Sequence, residues 1–222
     1  MKLLKLKSVS YIYKGTTKPV LNNINMEFKT EKLYAITGKS GVGKTTLLSL
    51  ISGLDTATEG SVIYRNEDIA TLNRDRYRAS NIGVVFQSYN LLTNATALDN
   101  VVLSMNISGN KDKTSEKKQM ALEVLNRVGI DSEKAKRKVL KLSGGEQQRV
   151  AIARAIVHNP DIIIADEPTG NLDSSTERSI MKIFERLAHE DKKCVIIVTH
   201  SATAAEYADE VFELNHEKTH KC

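Results

Sequence analysis

The chain reads as an α/β protein with a mainly parallel sheet. Three observations predict that class. Short apolar strands alternate with helical periodicity near both ends; the glycine-rich residues 38–45 join one such strand directly to a helix; and residues 97–158 are helical almost throughout. Parallel strands need a crossover between them, usually a helix, so strand–helix alternation marks a parallel sheet. The long helical block in the middle is then an insertion into that alternation.

Leu4, Leu6 and Ser8, then residues 9–13, alternate as a first strand. Val20, Asn22, Ile24, Met26 and Phe28 mark a second, with turn residues at 15–19 between the two. Together they read as a small antiparallel flap. Residues 33–37 form a short apolar strand running into the glycine-rich segment, and 46–51 continue as a helix. A turn at 55–60 leads to a strand at 61–64, a polar helix near 72–79 and a strand at 82–86. After Gln87 helices take over, with loops at 108–114 and 129–131. Alternation returns with a strand at 161–165, a helix at 174–189, a strand at 194–198, a helix at 202–208 and a last strand at 210–214. The expected organisation is one domain, with residues 1–87 and 159–222 as core and flap and 88–158 as an inserted helical subdomain.

Length and composition exclude several classes. With 222 residues, 41% hydrophobic and 27% charged, the chain has a globular profile and should bury roughly 70% of its unfolded surface without covalent staples. No apolar run nears the roughly 18 residues of a membrane span, and lysines interrupt the first residues too often for a signal peptide. Cys194 and Cys222 have neither metal nor disulfide spacing, so a cytosolic location is expected. The net charge of +5 suits a phosphate ligand, an anionic membrane surface or nucleic acid without choosing among them. Aromatics are 5% and no basic block is interleaved with them, which argues against nucleic acid. The lysine-rich stretches 111–118 and 133–138 are mixed with acidic and small residues and read as solvated faces.

The chemistry concentrates in three places. Gly38-Lys39-Ser40-Gly41-Val42-Gly43-Lys44-Thr45 fits G-x-x-x-x-G-K-[ST] between a strand and a helix that starts at Thr46. Glycines let successive N–H groups turn inward onto phosphate oxygens, and the helix adds its positive end. Lys44 would reach the β- and γ-phosphates and the Thr45 hydroxyl would ligate Mg²⁺. Second, the apolar strand ending in Asp166-Glu167 belongs in the middle of a parallel sheet, with both carboxylates at the ligand crevice. There Asp166 can hold a Mg²⁺ shell and Glu167 can polarise an attacking water. Third, Leu142-Ser143-Gly144-Gly145-Glu146-Gln147 precedes an amphipathic helix, with Ser143 as its N-cap and two glycines exposing N–H groups beside it. That makes a second anion-binding surface, whose meaning depends on what it faces.

The phosphate loop, Gln87 at a strand end, the LSGGEQ string, Asp166-Glu167, Asn171-Leu172-Asp173 and Thr199-His200 follow one another in the order of the ATP-binding cassette (ABC) ATPases, a family of P-loop NTPases with a RecA-like core. The resemblance covers essentially the whole chain. The finer text, including LSGGEQQRVAIARA and DEPTGNLD, is most similar to the MacB/LolD group, to which FtsE also belongs. The resemblance implies a head-to-tail homodimer that sandwiches two ATP molecules between one subunit's phosphate loop and the other's LSGGEQ. Ser143, Gly144, Gly145 and Glu146 would then meet nucleotide held by the partner chain. Gln87 resembles the residue that touches Mg²⁺ and the attacking water, His200 the histidine that bonds the γ-phosphate, Asp173 an aspartate working across the dimer interface, and Tyr13 the aromatic that stacks on adenine. Tyr11, on the same strand face, competes with Tyr13 for that role.

Departures are few. Val42 is bulkier than the small residue usual in the loop, and Ser201 replaces the Asp often found after the histidine, which weakens the expected helix start there. The resemblance also implies a separate integral membrane permease as partner, with an adaptor protein attached through it. Export of a peptide, bacteriocin, lipoprotein or drug follows, with the chain peripheral on the inner face of the cell membrane. The apolar stretch of Tyr89, Leu91, Leu92 and residues 97–102 is the candidate groove for the permease. The alternative is an FtsE-like ATPase that regulates an envelope enzyme through a membrane partner without transport. Soluble nucleic-acid ABC ATPases carry a long insertion or a second cassette, for which these residues leave no room.

Overall fold

A computed structural model describes residues 2–215 and the backbone of 219–221; Cys222 lies outside the described residues. The flap comes first, because its strands alternate buried and exposed side chains. β1 (Lys2–Tyr11) pairs antiparallel with β2 (Leu21–Lys29), Leu6 facing Met26 and Leu4 facing Phe28. β1 stops at Tyr11, two residues short of the sequence expectation. At that point Tyr11 Cα is opposite Leu21, and the next N–H, that of Ile12, donates to the Thr58 hydroxyl instead of to a strand. Tyr13 therefore lies outside the strand, and it does not share a face with Tyr11: Tyr11 is buried, Tyr13 is 47% exposed, and their rings stand at 89°.

β3 (Lys32–Thr37) enters the second sheet and delivers the chain to α1 (Lys44–Ile51). β4 (Glu59–Tyr64) and the short β5 (Glu67–Asp68) return to the flap, completing an antiparallel sheet in the order β2-β1-β4-β5. α2 (Arg74–Asn81), capped by Asn73, leads to β6 (Ile82–Phe86). The helical stretch follows as α3 (Ala97–Ile107), α4 (Thr114–Arg127), the one-turn α5 (Ser132–Ala135) and α6 (Gly144–Ile156). β7 (Ile162–Asp166), α7 (Ser174–His189), β8 (Cys194–Val198), the short α8 (Ala202–Ala205), β9 (Glu210–Leu214) and β10 (Thr219–Lys221) complete the alternation. α8 ends three residues before the sequence expectation.

The second sheet runs β10-β9-β3-β8-β7-β6 and is parallel from β9 to β6, with β10 antiparallel at the edge. The Ile/Val runs of β7 and β8 are continuously apolar because both faces are covered. Alternate residues divide between two cores. Ile163, Ala165, Val195 and Ile197 pack with α3, α4, α6 and α7, whereas Ile162, Ile164, Cys194 and Ile196 pack with α1, Tyr77 and the flap. Because β3, β6, β7 and β8 are parallel and in register, their carboxyl ends share one sheet edge: Ile36 lies beside Val198, Val198 beside Asp166, and Asp166 beside Phe86. The residues that follow those four ends build the site.

Candidate functional site

Beyond β3 the loop curls because two glycines permit what no other residue could. Gly43 has φ +104, and a Cβ there would come within 2.9 Å of both Leu21 Cδ2 and Val20 Cγ1. At Gly38 a Cβ would lie 2.6 Å from the Leu214 carbonyl oxygen. The bulky Val42 turns into the core and is buried, so its side chain stays away from the cleft. Lys44 Nζ lies over the loop, donating to the carbonyls of Gly38 (2.7 Å) and Lys39 (3.1 Å). The loop opens on a cleft of about 420 Å³ lined by Tyr13, Val20, Ser40, Gly41, Gly43, Lys44, Thr45, Thr46, Gln87, Asp166 and Glu167.

Residues from three other strand ends face that loop. Thr45 Oγ1 donates to Asp166 Oδ2 at 3.2 Å. Burial pushes the Asp166 carboxyl above the usual range, and neighbouring Glu167 adds to the shift, while the Thr45 hydrogen bond and the Lys44 charge oppose it. Glu167, at φ +46, turns the chain sharply after β7 and is held from β8: His200 Nδ1 donates to Glu167 Oε1 at 2.8 Å and the His200 N–H approaches Oε2 at 3.3 Å. Gln87 follows β6, and a Cβ on Gly170 would sit 2.9 Å from its Nε2. Tyr13, at the rim, shares a 2.7 Å hydrogen bond with Thr46. Tyr11 instead packs in the core and bonds Asp55, which raises its pKa to about 12.

The structure does not bring every expected residue into this cleft. Gly38, Lys39 and Val42 belong to the loop without lining the opening, and His200 reaches it through Glu167. Ser143–Glu146 form the other helix start and line none of it. Ser143 caps α6 in a capping box: Glu146 N–H donates to Ser143 Oγ (3.3 Å) and Ser143 N–H to Glu146 Oε2 (2.8 Å). Glu146 also pairs with Lys134 at 3.1 Å, so its carboxylate shapes the helix start. Gly145 is packed so closely that a Cβ would meet Thr176 Cγ2 at 2.5 Å. Asp173 caps α7, accepting from Ser175 and Thr176, and these hydrogen bonds hold its carboxyl far below the usual range.

Two features were not legible in the residues. Glu177 on α7 accepts from Thr169 (3.0 Å) and Ser201 (2.7 Å), so one carboxylate ties the loop after β7 to the loop after β8. Nothing in the spacing of those residues signals that meeting. Val20 joins the cleft because Gly43 packs against it, a contact the flap expectation did not include. Ser201, in the place where an Asp is often found, caps α8 through the Ala204 N–H at 3.2 Å, so the expected helix start stands.

Comparison with known proteins agrees with this geometry. The family profile described as ABC transporter matches residues 21–170. An ABC transporter ATP-binding protein of Bacillus subtilis, YclH, is 46% identical over 94% of this chain and 92% of its own length. The lipoprotein-releasing system ATP-binding protein LolD of Wigglesworthia glossinidia brevipalpis is 37% identical over the whole of this chain and 97% of its own. The macrolide export ATP-binding/permease protein MacB of Syntrophobacter fumaroxidans is 36% identical over 96% of this chain, which spans 30% of that longer protein. Among solved structures, the dimeric post-hydrolysis state of the cassette MJ0796 bound to ADP and phosphate superposes with a TM-score of 0.88 at 38% identity, covering 99% of this chain and 98% of that one. MJ0796 comes from Methanocaldococcus jannaschii. On this profile and these relatives, the chain belongs to the ABC transporter ATP-binding family, whose members bind and hydrolyse ATP to power transport.

Proposed function

We propose that the chain is the ATPase subunit of an exporter of the MacB/LolD type, driving a separate integral membrane permease through an ATP-dependent head-to-tail homodimer. The observation that carries the reading is the division of the phosphate-binding surfaces. The loop at residues 38–45 and the helix start at Ser143 are both built for anions, yet they do not share a cleft within one chain. A second copy supplies the missing half: Ser143, Gly144 and Gly145 of one chain reach the γ-phosphate held by the other, and Asp173 lies at the interface between them.

Within each composite site the roles follow from chemistry. Tyr13 offers a ring face to adenine at the rim. The backbone N–H groups of the loop and Lys44 take the phosphates, and Thr46, bonded to Tyr13, fixes the rim to α1. The donor set at Thr45, Asp166 and Gln87 fits Mg²⁺, being hard oxygens in one cleft with a carboxylate whose ionised form gains from a cation beside it. When bound, Mg²⁺ would neutralise charge developing on the β- and γ-phosphates. Glu167 orients a water toward the γ-phosphorus and takes up its proton as the bond to the β–γ bridging oxygen breaks, leaving ADP and phosphate. His200 fixes the carboxylate through Oε1, and in this reading it also bonds the γ-phosphate.

No helix among the described residues is long and apolar enough to cross a membrane, and in this reading a permease supplies the translocating path. The docking site we assign to the permease is an open groove of about 510 Å³ between α3, β6 and α6. Its apolar lining includes Leu92, Leu103 and Ile107, which are 53%, 38% and 69% exposed. Ala97 and Val101, expected in that groove, are buried in the core instead, and Leu91 packs half-buried against it. An adaptor would join through the permease, and the complex would place the chain on the inner face of the cell membrane.

Affinity purification of Glu167→Gln chain from detergent-solubilised membranes of its host, with ATP present and co-purifying chains identified by mass spectrometry, tests the reading. A permease with few spans and a large external domain is the expected partner. A partner tied to cell-wall hydrolases would replace transport by regulation, and ribosomal or DNA-bound partners alone would overturn the membrane assignment.

A further inference from the structure

Immediately after Gln87 the chain makes an elbow that is costly to hold. Tyr89 and Asn90 both have positive φ, at 60° and 49°, and a bulky residue such as Tyr rarely adopts that region unless its surroundings impose it. One side chain spans the elbow. Arg154, in the third turn of α6, donates from Nη2 to the Tyr89 carbonyl at 2.9 Å and from Nη1 to the Asn90 carbonyl. The planar guanidinium suits that fork, whereas an ammonium is a point donor. Burial lowers the Arg154 pKa, and its guanidinium donates to two backbone carbonyls.

The two ends of this contact matter equally. Upstream, Gln87 lies in the nucleotide cleft. At the start of α6, a Cβ on Gly144 would lie 3.0 Å from the Tyr89 hydroxyl, so the elbow rests against the LSGGEQ helix start as well as against its middle. Arg154 and Asn90 also line the groove between α3, β6 and α6.

We infer that Arg154 is a positioning residue that locks the Gln87 elbow to α6, so that Gln87 in one cleft and Ser143–Gly145 offered to the other move as one body. The inference deepens the site reading above and rests on ATP binding at residues 38–45, but not on the identity of the permease. Arg154→Lys keeps the charge and most of the volume while losing the fork. It should leave the Kd for ATP within about twofold and lower kcat by about tenfold. In the Glu167→Gln background it should also reduce the ATP-driven dimer seen by gel filtration. Unchanged kcat, or a Kd that weakens as much as kcat falls, overturns the inference.

Hydrogen exchange on the unsubstituted chain, with and without ATP, gives a reading independent of how any variant folds. The amides of residues 88–91 and 144–147 should change protection together, and a change confined to one segment refutes the lock. A chain that binds no ATP at all would instead refute the site reading, and the Kd measurement separates the two failures.

Discussion

The phosphate loop and the LSGGEQ helix start are built from the same materials and come to different ends. Each places glycines at the amino end of a helix, where free N–H groups and the helix dipole favour an anion. α1 has no side-chain cap; its Gly43 leaves those groups open, and the loop faces Asp166, Glu167 and Gln87 across a cleft of its own chain. α6 is closed by a reciprocal capping box between Ser143 and Glu146, and its exposed start has no cleft of its own chain to face. One surface therefore faces a cleft of its own chain, and the other does not; in the proposed reading a second chain supplies its counterpart. A cap that fixes a helix start without covering its first N–H groups is what a surface presented to a partner requires.

Substitutions that strike the two surfaces differently sharpen this comparison. The largest effect is expected at Glu167. Glu167→Gln keeps the shape and the His200 contact while removing the proton acceptor, so turnover should fall by about a thousandfold. ATP binding should persist, and an ATP-bound dimer should accumulate on gel filtration. Near-normal phosphate release in that variant would remove Glu167 from the reaction. Next is Ser143→Arg, which places a bulky cation on the presented surface: turnover should drop by about a hundredfold with the ATP affinity of the isolated chain unchanged within about twofold. Matching losses of affinity and turnover would mean that Ser143 serves its own chain's cleft.

Asp173→Asn probes the cap beside that surface through pH. The carboxyl is held below its usual range in the fold, so its contribution to stability is present above the ordinary carboxylate pKa and is lost as pH falls toward the folded value. The Tm gap between wild type and variant should be widest near neutral pH and close progressively on acidification. A gap independent of pH would assign the cost to shape alone. The smallest effect is expected for Ser201→Ala, which removes the α8 cap at a cost of about 1 kcal/mol. For a chain of this size that is a Tm decrease of about 2–4 °C. Because Ser201 also donates to Glu177, a larger loss would show that the bridge between the two loops carries more of the site than the cap does.

Most of the fold was legible because period-2 and period-3.6 patterns are local. α7, β6, β8 and β9 occupy the residues the periodicity predicts, and the parallel order of the sheet follows from alternation. The phosphate loop, Asp166 and Glu167 were legible because spacing along a strand–loop–helix fixes their geometry. What sequence could not supply is contact between distant segments. Glu177 reaching Thr169 and Ser201, and Arg154 reaching the carbonyls of Tyr89 and Asn90, depend on how α6 and α7 lie on the sheet. The expectation that Tyr11 and Tyr13 share one strand face failed for a related reason. Alternation assumes that the strand continues, and the chain leaves β1 at Tyr11, so two residues two apart end on opposite sides of the surface.

The central claim is that each site needs the loop of one chain and the helix start of another. The direct measurement mixes Ser143→Arg chains with Lys44→Ala chains, both also carrying Glu167→Gln, and counts ATP retained through gel filtration. Neither parent alone should form an ATP-bound dimer, whereas the mixture should yield a heterodimer holding one ATP, between the intact loop of the first chain and the intact Ser143 of the second. Two ATP per heterodimer, or an ATP-bound dimer of Ser143→Arg chains on their own, would contradict the composite site.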